Sequence, residues 1–170
     1  MCIETSQSLS RRIGNAQGDE IGIKLNRRED VILLIQSDAD NVGPTKIFTF
    51  SKDDMQALVV FEMMFNNVVN YYRSYAKNYG KKTNNSDICP GVFMKDSFGN
   101  RLVADIIVGE GIQISIKHNE TQSGVEYLFS KNDSVGLTQF KNDLTAAAKN
   151  CAQKLPAIPI SASGSNPQPE

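Results

Sequence analysis

Short runs of alternating apolar and polar residues fill the first third of the chain. EIGIKLN (20–26) alternates strictly, DVILLIQSD (30–38) is more continuously apolar, and TKIFTF (45–50) follows a turn-rich segment. Alternation with a period of two is typical of half-buried strands. A further strand is expected within residues 2–13, so the pattern predicts four strands in this region.

The same order recurs later in the chain. RLVADIIV (101–108), GIQISIKHN (111–119) and GVEYLFS (124–130) fill the same three places, and GVFMKD (91–96) precedes them as a clearer first strand. Each set of strands therefore has four members, which predicts two similar sheets.

A helix is predicted after each set of strands. Ser51 and Ser130 stand at N-cap positions, and Asp54 and Asp133 follow three residues later, as in a capping box with Asp in place of Glu. The helices are expected over residues 52–79, where Gly80 follows, and over 131–154, before Pro156.

A repeated segment supports a duplication. FSKDDMQAL begins at Phe50 and FSKNDSVGL begins at Phe129, an offset of 79 residues. The same offset, held without a gap, aligns the pairs Phe61 and Phe140, Ile35 and Ile114, and Phe48 and Tyr127. We therefore predict an α+β fold: a duplicated ββββα unit with antiparallel sheets and two long helices packed together. The repeats are assigned to 1–80 and 88–155, with a linker at 81–87 and a disordered tail at 156–170.

The first helical segment is apolar on more than one face, which predicts burial on two sides. At its end, NYYRSYAKNYGKK (70–82) holds four of the five tyrosines. Tyr72 and Tyr75 continue the stripe of Phe61, Phe65 and Val68, which favours packing either within the domain or between subunits, and we assign these five residues to an interface between subunits. The chain is therefore expected to be a homo-oligomer.

Composition and charge are ordinary for a globular protein and argue against a membrane protein, a disulfide-rich protein and a strongly basic nucleic-acid-binding protein. Hydrophobic residues make up 40%, charged residues 22%, and the formal net charge is −1. The three cysteines lack metal-site or disulfide spacing, and no apolar run approaches the ~20 residues of a membrane span. A cytoplasmic protein without a membrane segment, metal or cofactor is expected, and any nucleic-acid binding must rest on a local basic surface.

Catalytic constellations are not evident in the sequence. His118 is the single histidine and stands at a strand end, and no phosphate-binding glycine loop occurs. The segment 38–49 begins like a calcium loop, but Thr49 stands where a bidentate Glu is needed. We therefore expect that the protein is not an enzyme.

Basic residues recur in and beside the strands and at the end of the first helix. Cations on an open sheet face can hold the backbone of single-stranded nucleic acid while nearby rings stack on bases; the same cations could instead only keep the sheet soluble. The candidate nucleic-acid-binding residues are Arg11, Arg12, Lys24, Arg27, Arg28, Lys46, Arg73, Lys77, Lys81, Lys82, Arg101 and Lys117.

The order of two ββββα halves resembles a group of single-stranded nucleic-acid binders, the Whirly and PUR-repeat proteins and the positive-cofactor-four type of coactivator. The resemblance covers residues 1–155 and rests on the element order and the repeated FSKDDMQAL/FSKNDSVGL. It implies sheets that bind single strands and helices that build an oligomer. A phage-encoded cofactor of transcription or replication would also fit.

Two functions from different classes are therefore carried forward. The leading prediction is a single-stranded DNA-binding protein, largely independent of sequence, with RNA as a further possible ligand and RNA polymerase or a replication protein as a possible partner. The alternative is a structural or protein-interaction module that docks through its apolar first helix.

Overall fold

The computed structural model describes residues 11–76, 90–118 and 124–152. They form two antiparallel four-stranded sheets, in which neighbouring strands follow the order of the chain. The strands of the first sheet are β1 (Arg12–Gly14), β2 (Glu20–Leu25), β3 (Val31–Gln36) and β4 (Thr45–Phe50). The strands of the second sheet are β5 (Val92–Lys95), β6 (Asn100–Ile107), β7 (Gly111–His118) and β8 (Val125–Ser130).

A helix follows each sheet. After β4, a 3₁₀ turn (Lys52–Asp54) leads into α1 (Met55–Tyr71), which continues as a π-helical turn (Tyr72–Ala76). After β8, α2 covers Ser134–Ala152. This arrangement confirms the predicted α+β fold with a duplicated ββββα unit. Of the predicted first helix, residues 77–79 lie outside the described part of the chain.

The two helix starts differ in detail. In the second half, the Asp133 carboxylate accepts hydrogen bonds from the backbone N–H and the hydroxyl of Ser130, both 2.9 Å, as predicted for a capping box. In the first half, the Ser51 hydroxyl accepts from the backbone N–H of Asp53, and the Asp30 carboxylate accepts from that of Lys52. Asp54 makes no cap hydrogen bond, and the Asp30 carboxylate from the β2–β3 turn instead satisfies the backbone N–H of Lys52, one residue after the predicted contact.

The strand register corrects the ungapped repeat. Phe48 lies opposite Leu33, and its counterpart Tyr127 lies opposite Ile114. Leu33, and not Ile35, is therefore the structural counterpart of Ile114. The reason is the length of the connection between the last two strands of each half. This connection covers residues 37–44 in the first half and 119–124 in the second, so it is two residues shorter in the second. Because the shift is two residues, the same face stays buried.

One core serves both halves. Its aromatic rings make a continuous series of contacts from the first sheet, through α1 and α2, to the second sheet. Neighbouring ring centroids lie 4.7–5.8 Å apart in the order Phe48, Phe50, Phe61, Phe65, Phe140, Phe129, Tyr127. Polar contacts also join the helices, because the Glu62 carboxylate accepts from Asn66 on α1 (2.7 Å) and from Thr145 on α2 (2.9 Å).

Burial overturns the predicted subunit interface. Phe61, Phe65 and Val68 are 0% exposed and Tyr72 is 3% exposed within the single chain. The second apolar side of α1 packs against α2 of the same chain, as the Phe65–Phe140 contact shows. These residues are core residues of the single chain, so the structure matches packing within the domain, the other of the two alternatives. The side chain of Tyr75 lies outside the described residues.

Each half sends a turn to the edge strand of the other sheet. Asn15, in the β1–β2 turn, donates its Nδ2–H to the backbone carbonyl of Leu128 on β8 (3.0 Å). Asp96, in the β5–β6 turn, accepts from the backbone N–H of Thr49 on β4 (3.0 Å). Asn15 and Asp96 are counterparts, as are Thr49 and Leu128, so the contacts are reciprocal, like those of an isologous interface. They hold the two sheets together.

No helix within the described ranges is long and apolar enough to cross a membrane.

Candidate nucleic-acid interface

Each sheet has one face toward the helices and one open face, because side chains alternate along a strand. On the second sheet, the residues on the helix side include Leu102, Ala104 and Ile114, which are fully buried. The intervening residues of β5, β6 and β7 therefore lie on the open face.

Three basic residues line up across this open face. Lys95 on β5 pairs with Arg101 on β6, and Arg101 pairs with Lys117 on β7. We call Lys95, Arg101 and Lys117 the cation row. The acidic residues of the same face, Asp105 and Glu126, belong to other cross-strand rows.

The cation row brings three like charges together on adjacent strands. Like charges that face each other across strands destabilise a sheet. Neither Lys95 nor Lys117 forms an ion pair with any residue that the structure describes. In the neighbouring row, Phe93 leaves 56% of its surface exposed. A ring beside a line of cations is the combination that suits a single strand, in which phosphates and unstacked bases are both accessible.

The first sheet differs at the counterpart row. There Gly14 pairs with Glu20, and Glu20 pairs with Gln36. Arg12 lies across Gly22, and its guanidinium donates to Glu20 (3.4 Å) and Gln36 (3.2 Å). In the first sheet, Arg12 is thus paired within the face and Lys24 is the other cation there, whereas the row of three basic residues on adjacent strands occurs in the second sheet.

A cleft separates the edge of the first sheet from the β5–β6 turn. Its volume is about 440 Å³. We call this the inter-sheet cleft, and it is lined by Asn26, Arg28, Asp30, Ile47, Thr49, Phe98, Asn100 and His118. Asn100 and His118 are chain neighbours of Arg101 and Lys117, but their side chains stand on the helix face of the second sheet and those of the cation row stand on the open face.

Two predicted binding residues make contacts within the fold. The guanidinium of Arg11 forms a bidentate ion pair with Asp143 on α2, with N–O distances of 2.6 and 3.1 Å. Arg73 donates to the Thr138 hydroxyl on α2 (2.8 Å). Both guanidinium groups attach other elements to α2, and we leave them out of the candidate interface.

The remaining predicted residues divide into three groups. Lys24 lies on the open face of β2, and Arg27 and Arg28 are exposed in the β2–β3 turn. Lys46 shares strand parity with Phe48 and Phe50, so the prediction that it lies on an open sheet face was wrong: it stands on the helix side. Lys77, Lys81 and Lys82 lie outside the described residues.

Sequence reasoning missed Lys95, Phe93 and Phe98. The signal for the first two was present in GVFMKD, because Val92 and Met94 mark the core face and place Phe93 and Lys95 on the other. The pairing of Lys95 with Arg101 required the register of the β5–β6 turn. Phe98 stands in that turn, and the sequence gives no periodic signal for it.

His118 has a structural contact at the cleft. Its Nε2 lies 3.1 Å from the backbone carbonyl oxygen of Phe98, so it holds the β5–β6 turn against the end of β7. No cluster of three or more His, Cys, Asp or Glu side chains suited to a metal occurs among residues 11–76, 90–118 and 124–152.

Two tyrosines have perturbed acidity, but both belong to the core. Burial raises the pKa of Tyr72, and burial followed by the charges of Asp133, Asp19 and Glu20 raises the pKa of Tyr127. These phenols stay protonated in the fold.

No protein-family model matches the chain, and no curated protein matches it in sequence.

Proposed function

We propose that the protein is a non-enzymatic single-stranded nucleic-acid-binding protein, with DNA as the principal ligand, and that the open face of its second sheet holds the strand. The observation that carries the proposal is the cation row beside an exposed phenylalanine. Lys95, Arg101 and Lys117 stand on adjacent strands, and Phe93 occupies the next row.

The proposed mode of binding uses two separate interactions. The cation row neutralises phosphates, and the released counterions make the affinity fall with salt. The Phe93 ring stacks on a base, which does not depend on which base is present. Binding is thus expected to be largely independent of sequence.

Fluorescence anisotropy of a labelled single-stranded oligonucleotide tests this function. With three phosphate contacts, the plot of log affinity against log salt should have a slope of about −2, since each contact contributes roughly −0.7 on a single strand. Lys95→Ala and Lys117→Ala should each lower the affinity and make the slope shallower by about 0.7.

A matched control is Lys149→Ala, which removes an exposed lysine on α2, away from both sheets. It should bind like the wild type. Equal losses in all three variants would mean that only bulk charge matters, and absence of salt-sensitive binding by the wild type would end the proposal. Comparison of DNA with RNA oligonucleotides decides between the two ligands.

Assembly, partners and compartment are further parts of the proposal. A homo-oligomer, an RNA polymerase or replication partner, and a cytoplasmic location are expected from the resemblance and the composition. The apolar stripe of Phe61, Phe65 and Val68 is not offered as a docking surface, because it is buried within the chain. The alternative interaction module would have to dock through other residues of α1, such as Met63, which is 59% exposed.

A further inference from the structure

We propose that the inter-sheet cleft receives one unpaired base of the bound strand, and that this base contact is the origin of selectivity for single strands. The inference rests on the proposed function, because the strand must first be held by the cation row. A base in a double helix cannot enter the cleft without losing its pair, so the cleft discriminates between the two forms.

The cleft has the size and the apolar surface for a base. Its volume of about 440 Å³ falls within the usual range for small-ligand sites. Ile47 and Phe98 line it and remain 42% and 57% exposed, which is unusual for large apolar side chains within one depression. A planar base would cover both, and the Phe98 ring provides a stacking surface.

Charge around the cleft favours a nucleotide over a neutral aromatic ligand. Arg28 lines the cleft, and its side chain is exposed. On the other side, Asn100 and His118 line the cleft with side chains that stand on the helix face of the second sheet, whereas Arg101 and Lys117 stand on the opposite, open face. A strand held by the cation row must therefore pass around the ends of β6 and β7 to place a base in the cleft, and Arg28 is the cation that lines the cleft beside that base. Asp30 also lines the cleft, but its carboxylate oxygens accept from Lys52 N–H and from Asn26.

Hydrogen bonds of the Asp96 carboxylate fix the β5–β6 turn, which carries Phe98. One carboxylate oxygen accepts from the backbone N–H groups of Phe98 (3.0 Å) and Asn100 (2.9 Å), and the other accepts from Thr49 (3.0 Å) and from Asn100 Nδ2 (3.0 Å). Gly99 completes the turn with a φ of 89°. The cleft is thus formed before a ligand arrives, and little ordering is needed on binding.

The other half of the molecule provides an internal comparison. The equivalent place, between β8 and the β1–β2 turn, is formed by counterparts of the cleft residues. The substitutions from cleft to counterpart are Phe98 to Gln17, Ile47 to Glu126, Arg28 to Gly109 and His118 to Ser37. The counterpart has no aromatic ring, gains an acidic group and loses the arginine. The cleft has therefore diverged toward an aromatic, anionic ligand on one side of the molecule only.

His118 offers a direct probe, because it is the single histidine of the chain and lines the cleft. Addition of a single-stranded oligonucleotide should shift its ring proton resonances in NMR spectra, and the midpoint of this shift should match the dissociation constant given by anisotropy. A duplex of the same sequence should leave these resonances unchanged at the same concentration.

Two variants test the contacts. Phe98→Gln installs the residue that the counterpart turn already carries, so the turn should fold, and Ile47→Thr keeps a β-branched residue in β4. Each should weaken binding of the normal oligonucleotide, by roughly 10-fold for loss of one stacked base. Neither should change binding of an oligonucleotide in which every base is replaced by an abasic site. Gln17→Ala, in the counterpart turn, is the matched control and should bind like the wild type.

The outcomes separate the two proposals. Salt-sensitive binding with unchanged His118 resonances, or full affinity of both cleft variants, overturns the cleft inference and leaves the cation row intact. Failure of the wild type to bind any oligonucleotide overturns the proposed function and the inference with it. Shifted His118 resonances together with weaker binding by Phe98→Gln, on normal but not abasic oligonucleotide, support the base site.

Discussion

The carboxylate of Asp96 accepts a hydrogen bond from the backbone N–H of Thr49 and so attaches a turn of the second half to the edge strand of the first. Its counterpart Asn15 works in the opposite sense, because its amide donates to the Leu128 carbonyl. The side-chain oxygen of Asn15 accepts from Gln17 and Asp19 N–H groups within its own turn. An acceptor-only group is therefore required at 96, and a group that both donates and accepts is required at 15.

Asp96→Asn and Asn15→Asp should both destabilise the protein, although each installs the residue of the other half. Asp96→Asn places an N–H₂ donor opposite backbone N–H donors, with which it cannot form a hydrogen bond. Asn15→Asp places a carboxylate opposite the Leu128 carbonyl oxygen, so that two acceptors face each other. We expect each to cost about 1 kcal/mol of unfolding free energy, the typical net contribution of a hydrogen bond, because both side chains are only half-buried. Urea denaturation measures this. Asp105→Asn, on the exposed face of β6, is the control and should change stability by less than about 0.5 kcal/mol.

Phe65→Ala should reduce stability rather than dissociate subunits. Phe65 is 0% exposed and packs edge-on against Phe140, 5.5 Å between centroids. Truncation of a buried phenylalanine typically costs about 3–5 kcal/mol. Denaturation should show this loss, while light scattering of the folded fraction should give the wild-type mass. Met63→Ala, on an exposed position of the same helix, should be near neutral. A stable but dissociated Phe65→Ala protein would restore the interface interpretation.

Tyr127→Phe should raise stability slightly. The Tyr127 hydroxyl is buried and has no hydrogen-bond partner among the described residues, and the counterpart position holds Phe48. Removal of an unsatisfied buried hydroxyl should raise the unfolding free energy by about 1 kcal/mol in urea denaturation at neutral pH. A loss of stability would show that the hydroxyl has a partner after all.

The same substitution should change the response to alkali. Burial, followed by the nearby carboxylates, raises the pKa of Tyr127 in the folded state, whereas an unfolded tyrosine titrates near pH ~10. The unfolded state therefore releases a proton that the folded state retains. The corresponding stability is present below about pH 10 and is lost as the pH rises above it. The gap in unfolding free energy between Tyr127→Phe and wild type should thus widen above that pH. Tyr72, whose pKa is also raised by burial, leaves a residual slope in the variant.

Val42→Gly should stabilise the β3–β4 connection. Val42 has a φ of 53° and is 82% exposed, so a β-branched side chain stands in the left-handed region without apolar contacts to offset the strain. Relief of this strain is expected to raise the free energy of unfolding, measured by denaturant or thermal unfolding, by about 1 kcal/mol. Val42→Ala retains Cβ and should gain less than Val42→Gly. Equal effects of both would place the cause in the side chain's surface and not in the backbone.

The strands and their faces could be predicted because alternation identifies both. Two-sided burial of α1 was predicted as well, but a sequence pattern does not distinguish burial by the same chain from burial by another, and the partner proved to be α2. The alignment of the two halves could not be completed from the sequence, because the connection before β8 is two residues shorter than the one before β4. This difference shifts the alignment of the first three strands of each half by two residues, which only the strand pairing reveals. The cation row could not be predicted without the same strand pairing. Nor could the place of Phe98 in the cleft, because it depends on the contact between Asp96 and Thr49 that brings the two halves together.

The reciprocal contacts of Asn15 and Asp96 also bear on why two copies are carried in one chain. Two identical chains related by a twofold axis must present the same residue at both equivalent places. Because these halves are covalently joined, one turn can donate while the other accepts, and one cleft can carry Phe98 while the other carries Gln17. Fusion thus permits an asymmetric molecule with a single specialised side, which would give the strand of the proposed function one defined location.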